Sequence, residues 1–230
     1  MFSETITSHV GFICKMELTK EEIKNPLLYI PKYFKVLSKA TKAKPSMLVP
    51  MVLWPIQEYY VSHRTNRNIC LKNRQTGFST AVLADNAHAL FTHPFERQSI
   101  ITHEGETSSF LLMTVDRFWQ NLPKDMRPRR SWGSGRRMRF PDTDSYIYID
   151  SAQADAVGIG RGLTRAHLSE VAKWPATRAK DIFADISQTI PEGGVLTIES
   201  TPKGRWGLFY DLYQAAKRKD IDYSVFFFPW

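Results

Sequence analysis

Short apolar segments alternate with longer amphipathic segments from about residue 68 to the end of the chain. A continuous short apolar run is typical of a strand buried on both faces, whereas apolar residues three or four positions apart are typical of a helix. The predicted strands are Asn68–Leu71, Gln98–Thr102, Ser145–Asp150, Ala166–Leu168, Val195–Glu199 and Ser224–Phe228. The predicted helices are Ser79–Phe91, Thr107–Trp119, Thr177–Gln188 and Leu208–Arg218. This alternation predicts an α/β fold with a mainly parallel central sheet flanked by helices on both faces.

The first fifty residues follow a different pattern. Residues 17–42 are predicted to be mostly helical, with a capping box formed by Thr19 and Glu22. Pro26 and Pro31 are expected to divide this stretch into shorter helices. The prolines within residues 45–55 predict a connector, so we expect a helical N-terminal segment over residues 1–50 and the main domain over residues 51–230.

Composition restricts the class of protein and its partners. Of the 230 residues, 43% are hydrophobic, which is enough for one large domain with a sizeable core. The 31 basic against 23 acidic side chains give a net charge of +8, which favours a nucleic acid as partner over a membrane surface. No apolar run reaches the ~18 residues of a membrane span, and the N-terminus does not read as a signal peptide. The two cysteines predict no disulfide framework and fit a reducing cytoplasm.

Part of the positive charge is concentrated in one segment. Six arginines lie between Arg127 and Arg139, and no acid interrupts them before Asp142. Such a loop could follow a DNA backbone without reading its sequence, but a solvated loop or a contact between subunits is also compatible with this pattern.

The turn after the first strand of the main domain has the features of a phosphate site. Residues 72–80 read K-N-R-Q-T-G-F-S-T, and glycine and hydroxyl residues before a helix point backbone N–H groups at an anion. The standard loop G-x-x-x-x-G-K-[ST] has a lysine where this chain has Phe78. Lys72 or Arg74 could supply the missing cation, and the hydroxyl of Ser79, or else of Thr80, could bind Mg²⁺. An ordinary strand-to-helix turn with an N-cap serine is the alternative.

The same residues resemble a known family. Arg74–Thr80 resembles the R-Q-x-G-x-[ST]-[ST] phosphate loop of the large subunits of phage terminases, some of which carry the loop lysine at its beginning, as Lys72 would be here. His167–Trp174 resembles the second nucleotide motif of that family, an apolar strand that ends in an acid pair. Glu199–Gly204 resembles the coupling motif, and Trp54–Gln57 resembles the adenine-reading glutamine motif.

The resemblance implies a P-loop NTPase fold of the RecA-like class, with a Walker A loop and with ATP and Mg²⁺ as cofactors. Residues expected to contact the nucleotide are Gln57, Lys72, Arg74, Gln75, Thr76, Gly77, Phe78, Ser79, Thr80 and Thr201. Lys72 and Arg74 are also expected to act in catalysis, and Ser79 is expected to bind the metal. Ser169 replaces the first acid of the pair, so it is assigned only a weaker or water-mediated contact with Mg²⁺.

Two further side chains are assigned to hydrolysis. Glu170 follows an apolar strand and is expected to orient the attacking water, although a glutamate at a helix start can also be merely a surface residue. Arg161 lies among glycines and is expected to be an arginine finger acting in trans, although it could be a solvated loop residue. Alternatives for the finger are Arg165 and the group Arg136, Arg137 and Arg139, and Asp150 is the second candidate acid.

The resemblance finally implies a context. It predicts an ATPase motor that moves double-stranded DNA into a procapsid from the cytoplasm of the host cell, as a ring of subunits on the portal protein with a small terminase subunit as partner. An isolated domain could be monomeric. The C-terminal nuclease domain of the family is not expected in these residues, so we interpret the chain as a shortened or split product without nuclease activity. A helicase-like ATPase and a non-hydrolysing nucleic-acid-binding module with a degenerate phosphate loop are the alternatives.

Overall fold

The computed structural model of the chain describes residues 19–41, 44–132, 136–154 and 162–229. Their helices are α1 (Lys20–Lys24), α2 (Pro26–Tyr33), α3 (Pro55–His63), α4 (Phe78–Thr92), α5 (Gly105–Asn121), α6 (Ala179–Thr189) and α7 (Leu208–Arg218). Their strands are β1 (Lys35–Leu37), β2 (Leu48–Pro50), β3 (Arg67–Lys72), β4 (Arg97–Thr102), β5 (Ser131–Trp132), β6 (Arg137–Phe140), β7 (Ser145–Ser151), β8 (Arg165–Ser169), β9 (Val195–Ser200) and β10 (Ser224–Phe228). Lys124–Met126 and Val171–Lys173 form single 3₁₀ turns.

The main sheet has eight strands in the order β10-β3-β9-β8-β4-β7-β6-β5. The six strands from β10 to β7 are parallel, and β6 and β5 continue the sheet in antiparallel pairing. These six parallel strands are the six that the apolar pattern predicts, so the prediction of a mainly parallel α/β sheet is confirmed.

The four predicted helices are also confirmed as α4, α5, α6 and α7, with ends that differ from the prediction by no more than one or two residues. Helices α2, α4 and α5 contribute to an apolar core on one face of the sheet, and α6 and α7 contribute to a core on the other face. A third cluster joins α3 and the start of α4 to β3 and β10. Within the described ranges, no helix is both long and apolar enough to cross a bilayer.

The N-terminal region agrees with its prediction only in part. Thr19 caps α1 by accepting a hydrogen bond from the backbone N–H of Glu22, but the side chain of Glu22 pairs with Lys32 and does not complete the predicted capping box. Pro26 begins a second helix, as predicted, whereas Pro31 lies inside α2 and does not divide it. The stretch predicted as mostly helical ends in the strand β1, which pairs with β2 from the predicted connector. Each of these strands has only three residues, so their burial pattern is too short to be distinguished from a helix turn by spacing.

Helix α3 and the strands β5 and β6 were not predicted either. Helix α3 begins at Pro55, whose fixed φ suits the first position of a helix. Strands β5 and β6 lie in the arginine-rich segment, where charge hides any alternation of apolar residues. Two pieces of that segment therefore extend the sheet in antiparallel pairing, whereas residues 127–130 have no regular secondary structure.

The topology brings three strand ends together. Strand β9 lies between β3 and β8, and all three run in the same direction. Ligands of open α/β sheets bind beyond the carboxyl ends of such strands. Side chains that follow β3, β8 and β9 therefore share one edge of the sheet, beside the N-terminus of α4.

Candidate nucleotide site

The turn between β3 and α4 has the backbone of an anion site. Gln75 and Gly77 both have positive φ, of 62° and 64°, which folds the chain tightly before Phe78 begins the helix. A Cβ at position 77 would lie 2.8 Å from Nε2 of Gln57, so only glycine fits both the conformation and the space. The first N–H groups of α4 have no partners within the helix and are available to an anion.

Gln57 braces this turn from helix α3. Its Nε2 donates a hydrogen bond of 2.8 Å to the carbonyl of Thr76, and its Oε1 accepts one of 3.0 Å from the backbone of Trp54. The side chain is buried. Gln57 therefore contacts the phosphate turn itself, which places the predicted adenine-reading residue beside the loop.

Phe78 stands where the standard loop has its lysine, and its side chain lies in the core. It is 1% exposed and packs against the rings of Tyr60 and Phe228. Of the predicted nucleotide contacts, Phe78 can thus offer only its backbone. A cation has to reach the loop from elsewhere.

Lys72, the last residue of β3, brings an ammonium group to this edge of the sheet. Its Nζ lies 2.7 Å from Oε1 of Glu170 and 3.1 Å from Oε2 of Glu199. The side chain is buried. One ammonium group therefore joins the ends of three neighbouring strands.

Glu170 faces the turn and not the surface. It follows β8 in a left-handed backbone conformation, with φ of 54°, which costs a glutamate of the order of 1 kcal/mol or more. Its Oε2 accepts hydrogen bonds from the hydroxyl of Thr201 at 2.8 Å and from the backbone N–H of Thr201 at 3.3 Å. Nζ of Lys173 lies 3.2 Å from the same oxygen. Strained backbone held by several contacts is typical of functional positions.

Glu199 is a second acid in the site, and it is completely buried. Its Oε1 accepts hydrogen bonds from the hydroxyl of Ser79 at 2.7 Å and from the hydroxyl of Ser169 at 2.6 Å. Nε2 of His167 lies 3.4 Å from the same oxygen. Both serines that were assigned to Mg²⁺ therefore converge on this carboxylate.

The charges of this cluster stabilise one another. Burial opposes the charge of Lys72, but the carboxylates of Glu199 and Glu170 outweigh it and raise its pKa. Burial alone would raise the pKa of Glu199, but His167, Lys72 and Ser169 lower it to about 2. Burial and Glu199 also oppose the charge of Glu170, but Lys72 and Thr201 lower its pKa. At neutral pH the site therefore holds two carboxylates and an ammonium group.

The remaining predicted contacts line the mouth of the turn. Arg74 is exposed, and its backbone N–H donates to Oδ1 of Asn73 at 2.5 Å. Gln75 is exposed and accepts a hydrogen bond of 3.3 Å from Nζ of Lys39. Thr80 is half-buried in the first turn of α4. The structure thus brings the predicted contacts together around one turn, with Lys72 inside it and Arg74 at its surface.

Asp150, the second candidate acid, lies outside this cluster. It is the residue before the last of β7, and β4 separates β7 from β8. Its carboxylate accepts hydrogen bonds from Arg136 at 2.7 Å and from the hydroxyl of Tyr148 at 2.9 Å.

The arginines that were candidates for the finger lie in three parts of the chain. Arg161 lies outside the described residues. Arg165 is at the amino end of β8, on the opposite edge of the sheet from the turn, and pairs with Asp85 at 3.2 Å. In the described part of the arginine-rich segment, several side chains have partners within the chain: Arg127 and Arg130 lie over the ring of Trp119, Arg130 also pairs with Asp116, Arg129 with Asp142, Arg136 with Asp150, and Arg137 lies over the ring of Tyr146.

Sequence reasoning did not assign Glu199 and His167 to the site. A signal for Glu199 existed, because it ends an apolar strand and because Ser169 leaves the acid pair one carboxylate short. Asp150 ends a strand in the same way, so the sequence could not choose between them. The strand order distinguishes Glu199 from Asp150, since β9 lies beside β8 whereas β7 does not.

Solved structures of phage large terminases share this fold. The HK97 bacteriophage large terminase matches 91% of this chain and 44% of its own, with a TM-score of 0.72 and 15% identity. The ATPase domain of the Thermus phage P74-26 large terminase matches 75% of this chain and 79% of its own, with a TM-score of 0.59 and 20% identity. The large terminase of another thermophilic bacteriophage, in complex with ATP-γ-S, matches 74% of this chain and 43% of its own, with a TM-score of 0.52 and 16% identity.

This chain therefore has the fold of a large-terminase ATPase domain, and it spans less than half of the HK97 chain and of the chain bound to ATP-γ-S. No protein-family model matches the sequence, and no curated protein matches it either.

Proposed function

We propose that this chain is the ATPase domain of a terminase large subunit, which hydrolyses ATP to move double-stranded DNA into a procapsid. One observation carries the proposal: Lys72, at the end of the phosphate-turn strand, is held 2.7 Å from the glutamate that follows β8. A cation and a carboxylate that meet beside a helix N-terminus are the parts that phosphoryl transfer from ATP requires. The shared fold of the terminase ATPase domains supports the same assignment.

The triphosphate would bind against the turn between β3 and α4. The first N–H groups of α4 and the left-handed turn at Gly77 would surround its oxygens. Lys72 would then exchange part of its contact with Glu170 for the β- and γ-phosphates, as the loop lysine of such sites does. Arg74 is exposed at the mouth of the turn and would add a second cation.

Glu170 would orient the attacking water. Water attacks the γ-phosphorus, the bond from that phosphorus to the oxygen of the β-phosphate breaks, and ADP leaves with inorganic phosphate. The carboxylate of Glu170 would accept the proton of the water, and its hydrogen bonds with Thr201 keep it aimed at the turn. Because Thr201 follows β9 and donates to Glu170, loss of the γ-phosphate would change the contacts at the end of β9, where the coupling motif was assigned.

The residues present fit Mg²⁺. Ser79 offers a hydroxyl in the first turn of α4, and Oε2 of Glu199 is a buried acceptor without a well-aligned hydrogen bond among the described residues. Within those residues, no group of three or more metal-binding side chains forms a site by itself, so phosphate oxygens would complete the coordination. When bound, Mg²⁺ would neutralise charge on the β- and γ-phosphates.

The partners follow from the resemblance and from charge. The net charge of +8 suits a DNA polyanion. We propose a ring of copies on the portal protein, a small terminase subunit as partner and a site of action in the cytoplasm of the host cell. An isolated domain would hydrolyse ATP slowly, because it would lack the finger arginine that a neighbouring copy supplies in the ring.

Glu170→Gln tests this function. Loss of the base is expected to lower Mg²⁺-dependent ATP turnover at least about 100-fold, whereas binding of ATP-γ-S is retained. The fold is expected to survive, since Lys72 keeps Glu199 as a partner. Phosphate release and calorimetric titration measure the two effects, and Glu192→Gln, an exposed glutamate in the loop before β9, is the matched control.

Equal turnover in the parent and in Glu170→Gln would contradict the assignment. A parent that binds DNA without hydrolysing ATP would favour a non-hydrolysing nucleic-acid-binding module instead. ATP-dependent separation of DNA strands would favour a helicase-like enzyme.

A further inference from the structure

Glu199 occupies a position in the sheet that ties it to both nucleotide motifs. In the ladder between β8 and β9, Glu199 is the direct register partner of Ser169. In the ladder between β3 and β9, it is the partner of Cys70, two residues before Lys72. The carboxylate therefore lies between the phosphate turn and the strand end where the acid pair is incomplete.

The two oxygens of Glu199 have different surroundings. Oε1 is shared by the hydroxyls of Ser79 and Ser169. Oε2 has Lys72 at 3.1 Å, but this contact is not aligned as a hydrogen bond, and no other described residue donates to it. A fully buried carboxylate oxygen that accepts no hydrogen bond can still bind a cation, or accept a hydrogen bond from a water molecule that a cation holds.

We propose that Glu199 supplies the metal-supporting carboxylate that Ser169 does not, from the adjacent strand at the same register. In phosphate-loop enzymes, the loop hydroxyl and an acid at the end of a neighbouring strand hold Mg²⁺ together. Here the loop hydroxyl of Ser79 already donates to Glu199 at 2.7 Å. This inference rests on the proposed nucleotide site, and it makes Glu199 a positioning residue for Ser79 and for the hydration shell of the ion.

The other acids of this edge are less suited to the role. Glu170 has both oxygens engaged, one by Lys72 and one by Thr201 and Lys173, and the proposed function already assigns it to the attacking water. Asp150 lies two strands away from β8 and is paired with Arg136. Glu199 alone among these three accepts a hydrogen bond from the loop serine in the described contacts.

Calorimetric titration with ATP-γ-S, in Mg²⁺ and again in EDTA, tests the proposal without requiring turnover. Parent protein is expected to bind ATP-γ-S more tightly in Mg²⁺. The ratio of the affinity for ATP-γ-S in Mg²⁺ to that in EDTA is called the Mg²⁺-dependent gain. Glu199→Gln is expected to reduce this gain by about 10-fold or more, because loss of a residue that supports the metal ligands typically weakens a metal site by that factor. Affinity in EDTA is expected to change little, and Glu192→Gln again serves as the control.

The double variant Ser169→Asp/Glu199→Ser separates charge from residue position. It returns the acid to the end of β8, so it is expected to restore the Mg²⁺-dependent gain that Glu199→Gln loses. It also decides the question if Glu199→Gln does not fold, which circular dichroism would detect.

An undiminished Mg²⁺-dependent gain in Glu199→Gln, or a folded double variant without that gain, would overturn the role of Glu199. A parent that binds no ATP-γ-S in either buffer would instead overturn the proposed function itself. The two failures are therefore distinct.

Discussion

At the scale of single residues, Phe78 explains why the turn lacks the lysine of the standard loop. Its ring fills the space between Tyr60 and Phe228 in the cluster that joins α3 and α4 to β3 and β10. A lysine at this position would bury its charge among aromatic rings. The ammonium group beside this turn is instead that of Lys72, which approaches from β3.

Phe78→Lys, which restores the lysine of the standard pattern, is expected to destabilise the fold and not to improve the site. Loss of a buried phenylalanine costs about 3 kcal/mol or more before the cost of the charge is added. Urea denaturation measures the change. Phe110→Lys is the control, because that ring is exposed on α5 and its replacement should leave the midpoint nearly unchanged. An equal shift of the denaturation midpoint in the two variants would contradict this account of Phe78.

The sequence predicted the residues of the turn but not all of their partners. Lys72, Ser79 and Glu170 were assigned from local order along the chain, and they do lie at one edge. Glu199 was not assigned, because its relation to Ser79 and Ser169 spans 120 and 30 residues of sequence. Only the order of strands in the sheet brings those side chains together.

At the scale of elements, spacing predicted the parallel strands and the four longer helices because each repeats its pattern over several residues. The short strands β1, β2, β5 and β6 offer no such repeat, and their pairing with neighbours defines them. Helix α3 was missed because it has only nine residues and its buried face includes the polar Gln57, so its apolar pattern is short and interrupted.

His88 connects two of these elements and makes their association sensitive to pH. It lies on α4, and its Nε2 is 2.8 Å from the carbonyl of Ile23 in α1. Burial lowers its pKa to about 4 from an ordinary value of 6.5, with Asp85, His93 and Arg165 also nearby. His88 therefore stays neutral in the folded protein at pH values between about 4 and 6.5, where the same side chain is protonated in the unfolded chain.

The stabilising effect of the neutral His88 is complete above pH 6.5 and is lost as the pH falls towards 4. Between pH 7.5 and pH 5, the free energy of unfolding is expected to fall by roughly 2 kcal/mol because of this group. His88→Gln keeps an N–H donor for Ile23 and removes the titration. Urea denaturation of both proteins at the two pH values measures the difference, and an identical pH dependence would contradict the role of His88.

At the scale of the whole molecule, the basic balance predicts how the proposed DNA partner would be bound. Several arginines of the basic segment are engaged within the chain, so DNA contact is expected from charges spread over the surface. Contacts of this kind read the phosphate backbone and not the bases.

Affinity for duplex DNA is therefore expected to fall steeply with salt and to be independent of sequence. Three neutralised phosphates would weaken binding roughly 40-fold between 50 and 200 mM salt. Fluorescence anisotropy with two duplexes of unrelated sequence measures both properties. A strong preference for one duplex, or affinity that does not respond to salt, would contradict a backbone-tracking role.

The hydrogen bond from Gln57 to the phosphate turn has a mechanical consequence. Helix α3 packs against α2 as well as against α4, so the turn is connected to the helices that precede the main sheet. Coupling between two sites is reciprocal: what tightens the turn also holds α3 in place, and a pull on α3 loosens the turn. Load applied to the first helices is accordingly expected to change how tightly the turn between β3 and α4 is held.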